Sequence, residues 1–333
     1  MDDAPTQATP QFEGLSPDVI IDAVEQSFDL ALNGIITPYS SYINRVYGLE
    51  DESGDRYVVK FYRPDRWSAE AILEEHRFVL DCVDDEFPVV PPKPNSAGST
   101  LQSAIVETDS GESAFRFALY SSRGGRLFDA EGDESWLRIG ALVGRLHRIG
   151  RTRDASLRMT HTPSGTTKIH LDELERSGVV HPDCREDFFN IAKRVTNEIL
   201  PYFESIALQR IHGDCHRGNI LDRSDGLMLI DFDDMVIGPP VQDIWLLLPD
   251  YAESSKRELE LVLEGYEAFG AFDRRTIALI EPLRFMRMIH FLAWSAKQRN
   301  DLRFQNTFPD WGGKAFWIKE IEDLRLQARV VGV

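Results

Sequence analysis

The feature that most narrows what this chain can fold into is a pair of short polar runs set among apolar residues. Ile211 to Leu221 reads Ile-His-Gly-Asp-Cys-His-Arg-Gly-Asn-Ile-Leu, and Leu229 to Asp234 reads Leu-Ile-Asp-Phe-Asp-Asp. A His-Gly-Asp turn follows an apolar residue, an amide stands five positions after Asp214, and a short strand then delivers a further carboxylate, Asp231. Phosphoryl transfer needs this set. One carboxylate takes or orients the acceptor hydroxyl proton, while an amide oxygen and another carboxylate hold a divalent cation against phosphates. An isolated Asp and Asn at this spacing would more simply cap a turn, since both favour turns. With His212-Gly213 before the pair and a strand leading to Asp231 after it, the chemical reading outweighs the turn. Asp214 is therefore read as the base. Asn219 and Asp231 are read as magnesium ligands, with Asp231 counted among the catalytic residues as well.

The spacing from Asp214 to Asn219 matches that of kinase catalytic loops, and Asp231-Phe232-Asp233 stands where those enzymes carry Asp-Phe-Gly. Such chemistry also needs a cation on the ATP phosphates. Lys60 ends the apolar strand Tyr57-Val58-Val59, and its expected partner is a glutamate of the next helix, Glu74 or Glu75, with Glu75 favoured. No Gly-x-Gly-x-x-Gly loop precedes the first strand. Pro38 to Arg45 occupies that place, where backbone N–H groups and the Ser40 or Ser41 hydroxyl can meet phosphates. Asp243 is read as structural, capping its own helix or bonding backbone N–H groups of the catalytic loop. His216 stands two residues after the base, where serine/threonine kinases commonly place a lysine, and Arg217 is a candidate for that missing charge. Arg284 and Arg287 are read as solvated or structurally paired, with binding of an anionic substrate group as the alternative. An adjacent carboxylate should raise the Cys215 pKa and blunt its reactivity.

A chain of 333 residues favours two units over one core. Residues 1–14 read as a loose tail, 15–122 as a sheet-rich lobe and 123–333 as a mainly helical lobe. Ser16-Pro17 opens a first helix, and Ser68 opens another through about Val83. Strands are expected at Arg45–Leu49, Arg56–Tyr62, Leu101–Glu107 and Phe115–Tyr120, the last two joined by a turn at Asp109-Ser110-Gly111. Helices are expected over Glu134–Gly150 and Pro182–Ala207 and near 241–248, 254–269 and 275–299, with two short strands at Ile220–Leu221 and Met228–Ile230. A net charge of −18 argues against a nucleic-acid partner and disfavours anionic membranes. No apolar run approaches the ~20 residues that span a bilayer, and the N-terminus lacks a signal-peptide pattern. Three scattered cysteines suggest reduced thiols. A cytoplasmic monomer is expected.

These motifs, with Gly238-Pro239 and Asp243, resemble those of the aminoglycoside phosphotransferase and choline kinase superfamily. Within it, Pro38 to Tyr47, Val59 to Pro64 with Glu74-Glu75-His76, and Ile280 to Arg284 resemble the bacterial stress response kinase A family, from about residue 12 to 325. The resemblance implies an α+β chain of bilobal protein-kinase-like fold. It implies an ATP- and magnesium-dependent serine/threonine protein kinase acting on protein hydroxyls, with Ser41 at a nucleotide-contact position. A small-molecule kinase acting on an alcohol is the alternative, because the catalytic motif is common to both. Residues 151–181 match the family least.

Overall fold

The computed structural model describes residues 12–41, 43–108 and 111–333. Most of the expected tail, Tyr42 and the Asp109-Ser110 part of the expected turn lie outside the described residues. The chain divides into two compact units between Gly125 and Arg126.

The first unit is a five-stranded antiparallel sheet with a helix on each face. Its strands are β1 (Leu32–Pro38), β2 (Arg45–Asp51), β3 (Arg56–Phe61), β4 (Gln102–Thr108) and β5 (Gly111–Ser121), in spatial order β1-β2-β3-β5-β4. Alternation along β3 and β5 sends Tyr57, Val59, Phe61, Phe115, Phe117 and Leu119 to one face. There they pack with Ile20 and Val24 of α1 (Pro17–Phe28). Ser16 starts that helix by accepting the Val19 N–H, and Pro17 occupies the first turn, where a missing N–H costs nothing. Lys60 and its cross-strand neighbour Ala118 fall on the other face. That face packs against Ile72 of α2 (Ala69–Asp84), which Ser68 caps. Strand β1 was not anticipated. Only Leu32 and Ile36 are even partly buried, so its sequence lacks the alternation of a half-buried strand.

The second unit is mainly helical. It contains α3 (Gly132–Gly150), α4 (Lys168–Ser177), α5 (Arg185–Ile199), α6 (Val241–Trp245), α7 (Lys256–Glu267), α8 (Ile280–Gln298), α9 (Leu302–Thr307) and α10 (Lys314–Val331). α3 and α7 approach closely because Gly140 and Gly265 sit at the crossing. A Cβ on Gly140 would lie 2.0 Å from the Val262 carbonyl oxygen, and one on Gly265 would lie 2.1 Å from that of Leu137. The helix expected over Pro182–Ala207 is shorter. It ends at Ile199 and tightens into a 3₁₀ turn over Leu200–Phe203, because Pro201 has no N–H with which to continue the helical hydrogen bonds. The helix expected over 275–299 likewise begins as a 3₁₀ turn, Arg274–Leu279, before α8.

Five short strands complete this unit: β6 (Arg126–Leu127), β7 (Gln209–Ile211), β8 (Ile220–Arg223), β9 (Gly226–Leu229) and β10 (Val236–Gly238). β7 pairs antiparallel with β10 through Ile211 and Val236, and β8 pairs with β9 through Ile220 and Leu229. The loop 212–219 therefore runs from β7 to β8 while 230–235 runs from β9 back to β10. Both polar runs of the sequence are held by the same two strand pairs.

Candidate active site

In the second unit, the loop 212–219 takes its shape from the buried carboxylate of Asp243 at the start of α6. Asp243 Oδ2 accepts the His212 N–H at 2.8 Å, and Oδ1 accepts that of Gly213 at 2.9 Å. His147 of α3 adds Nε2 at 3.0 Å from Oδ2. Of the two structural roles considered for Asp243, it takes the second. Gln242 Nε2 donates to the Gly213 carbonyl at 3.1 Å and completes the brace. Gly213 has φ +85°, and a Cβ there would lie 2.1 Å from the Asp234 carbonyl oxygen. No other residue fits both constraints.

His212 ties the two loops together. Its Nε2 lies 2.9 Å from the Ile230 carbonyl oxygen, and its Nδ1 accepts the Asp214 N–H at 3.3 Å. Asn219 is placed by Nδ2, which donates to the Asp214 carbonyl at 3.0 Å. With both this donor and its N–H engaged inside the loop, its Oδ1 is the polar atom left for a ligand. Asp231 follows β9 with an exposed side chain and φ 63°, ψ 68°, a left-handed conformation unusual for a residue with a Cβ. Arg158 braces the turn after it, with Nε donating to the Met235 carbonyl at 2.8 Å and Nη2 to that of Asp233.

The Asp214 carboxylate has a cation or donor at each oxygen. Arg287 of α8 places Nη2 2.8 Å from Oδ1, and His216 places Nε2 3.4 Å from Oδ2. Burial pushes the Asp214 carboxyl up, but the His216 hydrogen bond and the charges of Arg287 and His216 outweigh it. The group is held well below the ordinary carboxylate range. The Arg287 contact is not aligned as a hydrogen bond, so buried Oδ1 has no donor among the described residues. Such an atom suits an incoming hydroxyl. Arg217, the candidate for the missing lysine's charge, has its guanidinium 5.8 Å over the Trp136 ring instead. Burial, followed by the charges of Asp243 and Asp214, pushes the Cys215 thiol far up, which leaves it protonated and unreactive.

The donor set suits magnesium. Asn219 and Asp231 offer hard oxygens, and magnesium commonly keeps waters and phosphate oxygens for the rest of its shell. No group of three or more His, Cys, Asp or Glu placed to hold a metal ion occurs among the described residues, so the all-protein cage of a structural metal is not formed there.

The first unit brings Lys60 and Glu75 together, with Nζ 3.7 Å from Oε1 and both side chains buried. The Lys60 ammonium also lies 4.9 Å from the Tyr62 ring centroid. Tyr62 is held in turn by His76, whose Nε2 is 2.9 Å from its hydroxyl. Ser41 Oγ accepts the Asn44 N–H at 3.3 Å and so shapes the loop from β1 to β2. Asn44 then anchors this loop to the chain after β3 by accepting the Arg63 N–H at 3.0 Å.

Sequence reasoning did not find Arg158 or His147, and it left Arg287 as a solvated or structural residue. Residues 151–181, the poorest match to any motif, contribute more than a connection. Met159 and His161 exchange backbone hydrogen bonds with Ile237 of β10 at 3.0 and 2.7 Å.

The model of the phosphotransferase enzyme family (APH) matches residues 35–280. Stress response kinase A of Escherichia coli (strain K12) is 37% identical over 325 residues, 96% of this chain and 94% of that protein. Serine/threonine protein kinase RdoA of Salmonella typhimurium (strain LT2) is 35% identical over the same shares. Among solved structures, amicoumacin kinase hAmiN in complex with AMP-PNP, Ca2+ and Ami has a TM-score of 0.70 at 20% identity, covering 92% of this chain and 93% of that one. The microcompartment-associated aminopropanol kinase has 0.64 at 16%, covering 95% and 96%. The chain belongs to the phosphotransferase enzyme family, with a sheet-rich first unit and a mainly helical second unit of α+β class.

Proposed function

We propose that this member of the phosphotransferase enzyme family is an ATP- and magnesium-dependent serine/threonine protein kinase of the stress-response type. The observation that carries the reading is the Asp214 carboxylate, held ionised by Arg287 and His216 with one buried oxygen open to a donor. In the proposed reaction the acceptor hydroxyl oxygen forms a bond to the γ-phosphorus. The bond from that phosphorus to the β–γ bridging oxygen breaks, ADP leaves with the electron pair, and the hydroxyl proton passes to Asp214. Asn219 and Asp231 are the proposed holders of magnesium, which when bound supplies positive charge to the phosphates. Lys60, oriented by Glu75, is the proposed cation on the nucleotide phosphates, and Ser41 the proposed contact in the loop after β1.

Protein acceptors are favoured by the relatives that match nearly the whole chain, which are named as stress response and serine/threonine kinases. Within the described residues no helix is long and apolar enough to cross a membrane, and a monomeric cytoplasmic enzyme is proposed. The test is an acceptor panel. Purified protein is given γ-labelled ATP and magnesium with dephosphorylated casein, with itself alone, and with a series of small alcohols and aminoglycosides. Label on serine or threonine is expected. Label confined to a small alcohol replaces the protein-kinase reading with the small-molecule one.

A further inference from the structure

Asp214 has a cationic neighbour that its own motif does not supply. Arg287 comes from the middle of α8, and its Nη2 is 2.8 Å from Asp214 Oδ1. That contact is one of charge, because Oδ1 receives no aligned hydrogen bond. The guanidinium N–H groups are therefore aimed elsewhere, and among the described residues they meet no hydrogen-bond acceptor. The side chain is 38% exposed. A planar fork of five donors thus stands beside the proposed base with those donors unused. Nearby arginines do not share its situation. Arg217 covers Trp136, while Arg284 lies over Trp245 and Tyr251 and bonds Glu281 at 3.0 Å.

We propose that Arg287 is a catalytic residue that bonds the phosphoryl group in transit, supplying from α8 the positive charge that the loop 212–219 lacks at position 216. The inference rests on the kinase reading above. A hydroxyl held by Asp214 at about 2.7 Å puts the reacting oxygen no more than about 5.5 Å from Nη2. The phosphorus bonds to that same oxygen, so its equatorial oxygens come within reach of the fork. Negative charge on those oxygens is what a preorganised cation stabilises most in the transition state. An anionic group on the acceptor is the other ligand in reach, and it predicts different kinetics.

The test uses the full chain as wild type, Arg287→Lys and Arg287→Gln, with thermal unfolding to confirm that each variant folds. Label transfer from ATP to dephosphorylated casein or to the chain itself is measured beside binding of two magnesium nucleotides. These are AMP-PNP, which resembles the ground state, and ADP with aluminium fluoride, which resembles the phosphoryl group in flight. Arg287→Gln is expected to lower kcat by about 10²–10³-fold and to weaken ADP–aluminium fluoride in proportion, with AMP-PNP binding unchanged. Arg287→Lys is expected to lose less, and added guanidinium to restore part of the Gln variant's rate. Three results overturn the proposal: an unchanged kcat, equal weakening of both nucleotides, or a raised KM for the acceptor alone. The last assigns Arg287 to acceptor binding. A wild type that transfers no label overturns the kinase reading itself, whereas an active wild type with an equally active Gln variant overturns this inference alone.

Discussion

Asp243 Oδ2 lies 2.8 Å from the His212 backbone nitrogen, and this bond fixes where the loop 212–219 begins. The same carboxylate holds Gly213 and meets His147, with the side chains of both His147 and Asp243 wholly buried. A residue outside the loop thereby sets the direction in which Asp214 leaves it.

Removing that carboxylate leaves the His212 and Gly213 N–H groups without their acceptors. Asp243→Ala is expected to lower stability by about 3 kcal/mol, and Asp243→Asn, which keeps one acceptor oxygen, by about 1–2 kcal/mol. Urea unfolding midpoints measure both. Equal stability of all three proteins would show that the brace is dispensable.

Gly213→Ala combines a left-handed backbone with a Cβ 2.1 Å from the Asp234 carbonyl oxygen. A cost of about 2–3 kcal/mol is expected, together with near-complete loss of transfer as the two loops are forced apart. A variant as active as wild type would mean that the loops do not need this approach.

Acid should destabilise the second unit through two histidines. Burial pushes His161 down to about 4, with the His170 charge adding to the shift, and burial pushes His170 down to about 4 as well. The ordinary value is 6.5. Between these values the unfolded chain binds more protons than the folded one, so stability is full above about pH 6.5 and falls as pH drops towards 4. The loss by pH 4 is on the order of 3 kcal/mol for each histidine. Unfolding midpoints across pH 4–7 should fall less steeply in His170→Gln, and an unaltered slope contradicts the assignment.

Magnesium dependence can be separated from backbone strain at Asp231. Asn tolerates the left-handed region nearly as well as Asp, so Asp231→Asn removes the charge while the turn is kept. The magnesium concentration for half-maximal nucleotide binding is expected to rise at least about tenfold. An unchanged titration would remove Asp231 from the proposed magnesium ligands.

The proposed catalytic residues were legible because their spacing is local: Asp214 and Asn219 share the loop between β7 and β8, and Asp231 follows the β8–β9 hairpin. Ser16 and Ser68 were legible for the same reason, since an N-cap acts three residues ahead. Arg287 was not, because only the packing of α8 brings it to Asp214. Arg158 belongs to the same class, reaching Met235 from a segment with no motif of its own. The last helix, α10, was missed although Trp317, Ile321, Leu324 and Ala328 recur at helical spacing on its buried face. Its many charges mask that stripe. Strand β1 had no such stripe to read, as only Leu32 and Ile36 of its side chains reach the core and its pairing is with β2.

Asp214 is the proposed base of a phosphoryl transfer. The direct measurement is label transfer from γ-labelled ATP by wild type and Asp214→Ala, with magnesium–AMP-PNP affinity determined on the same preparations. Transfer is expected to fall by about 10²–10⁴-fold while nucleotide affinity is largely kept. Undiminished transfer by Asp214→Ala would contradict it.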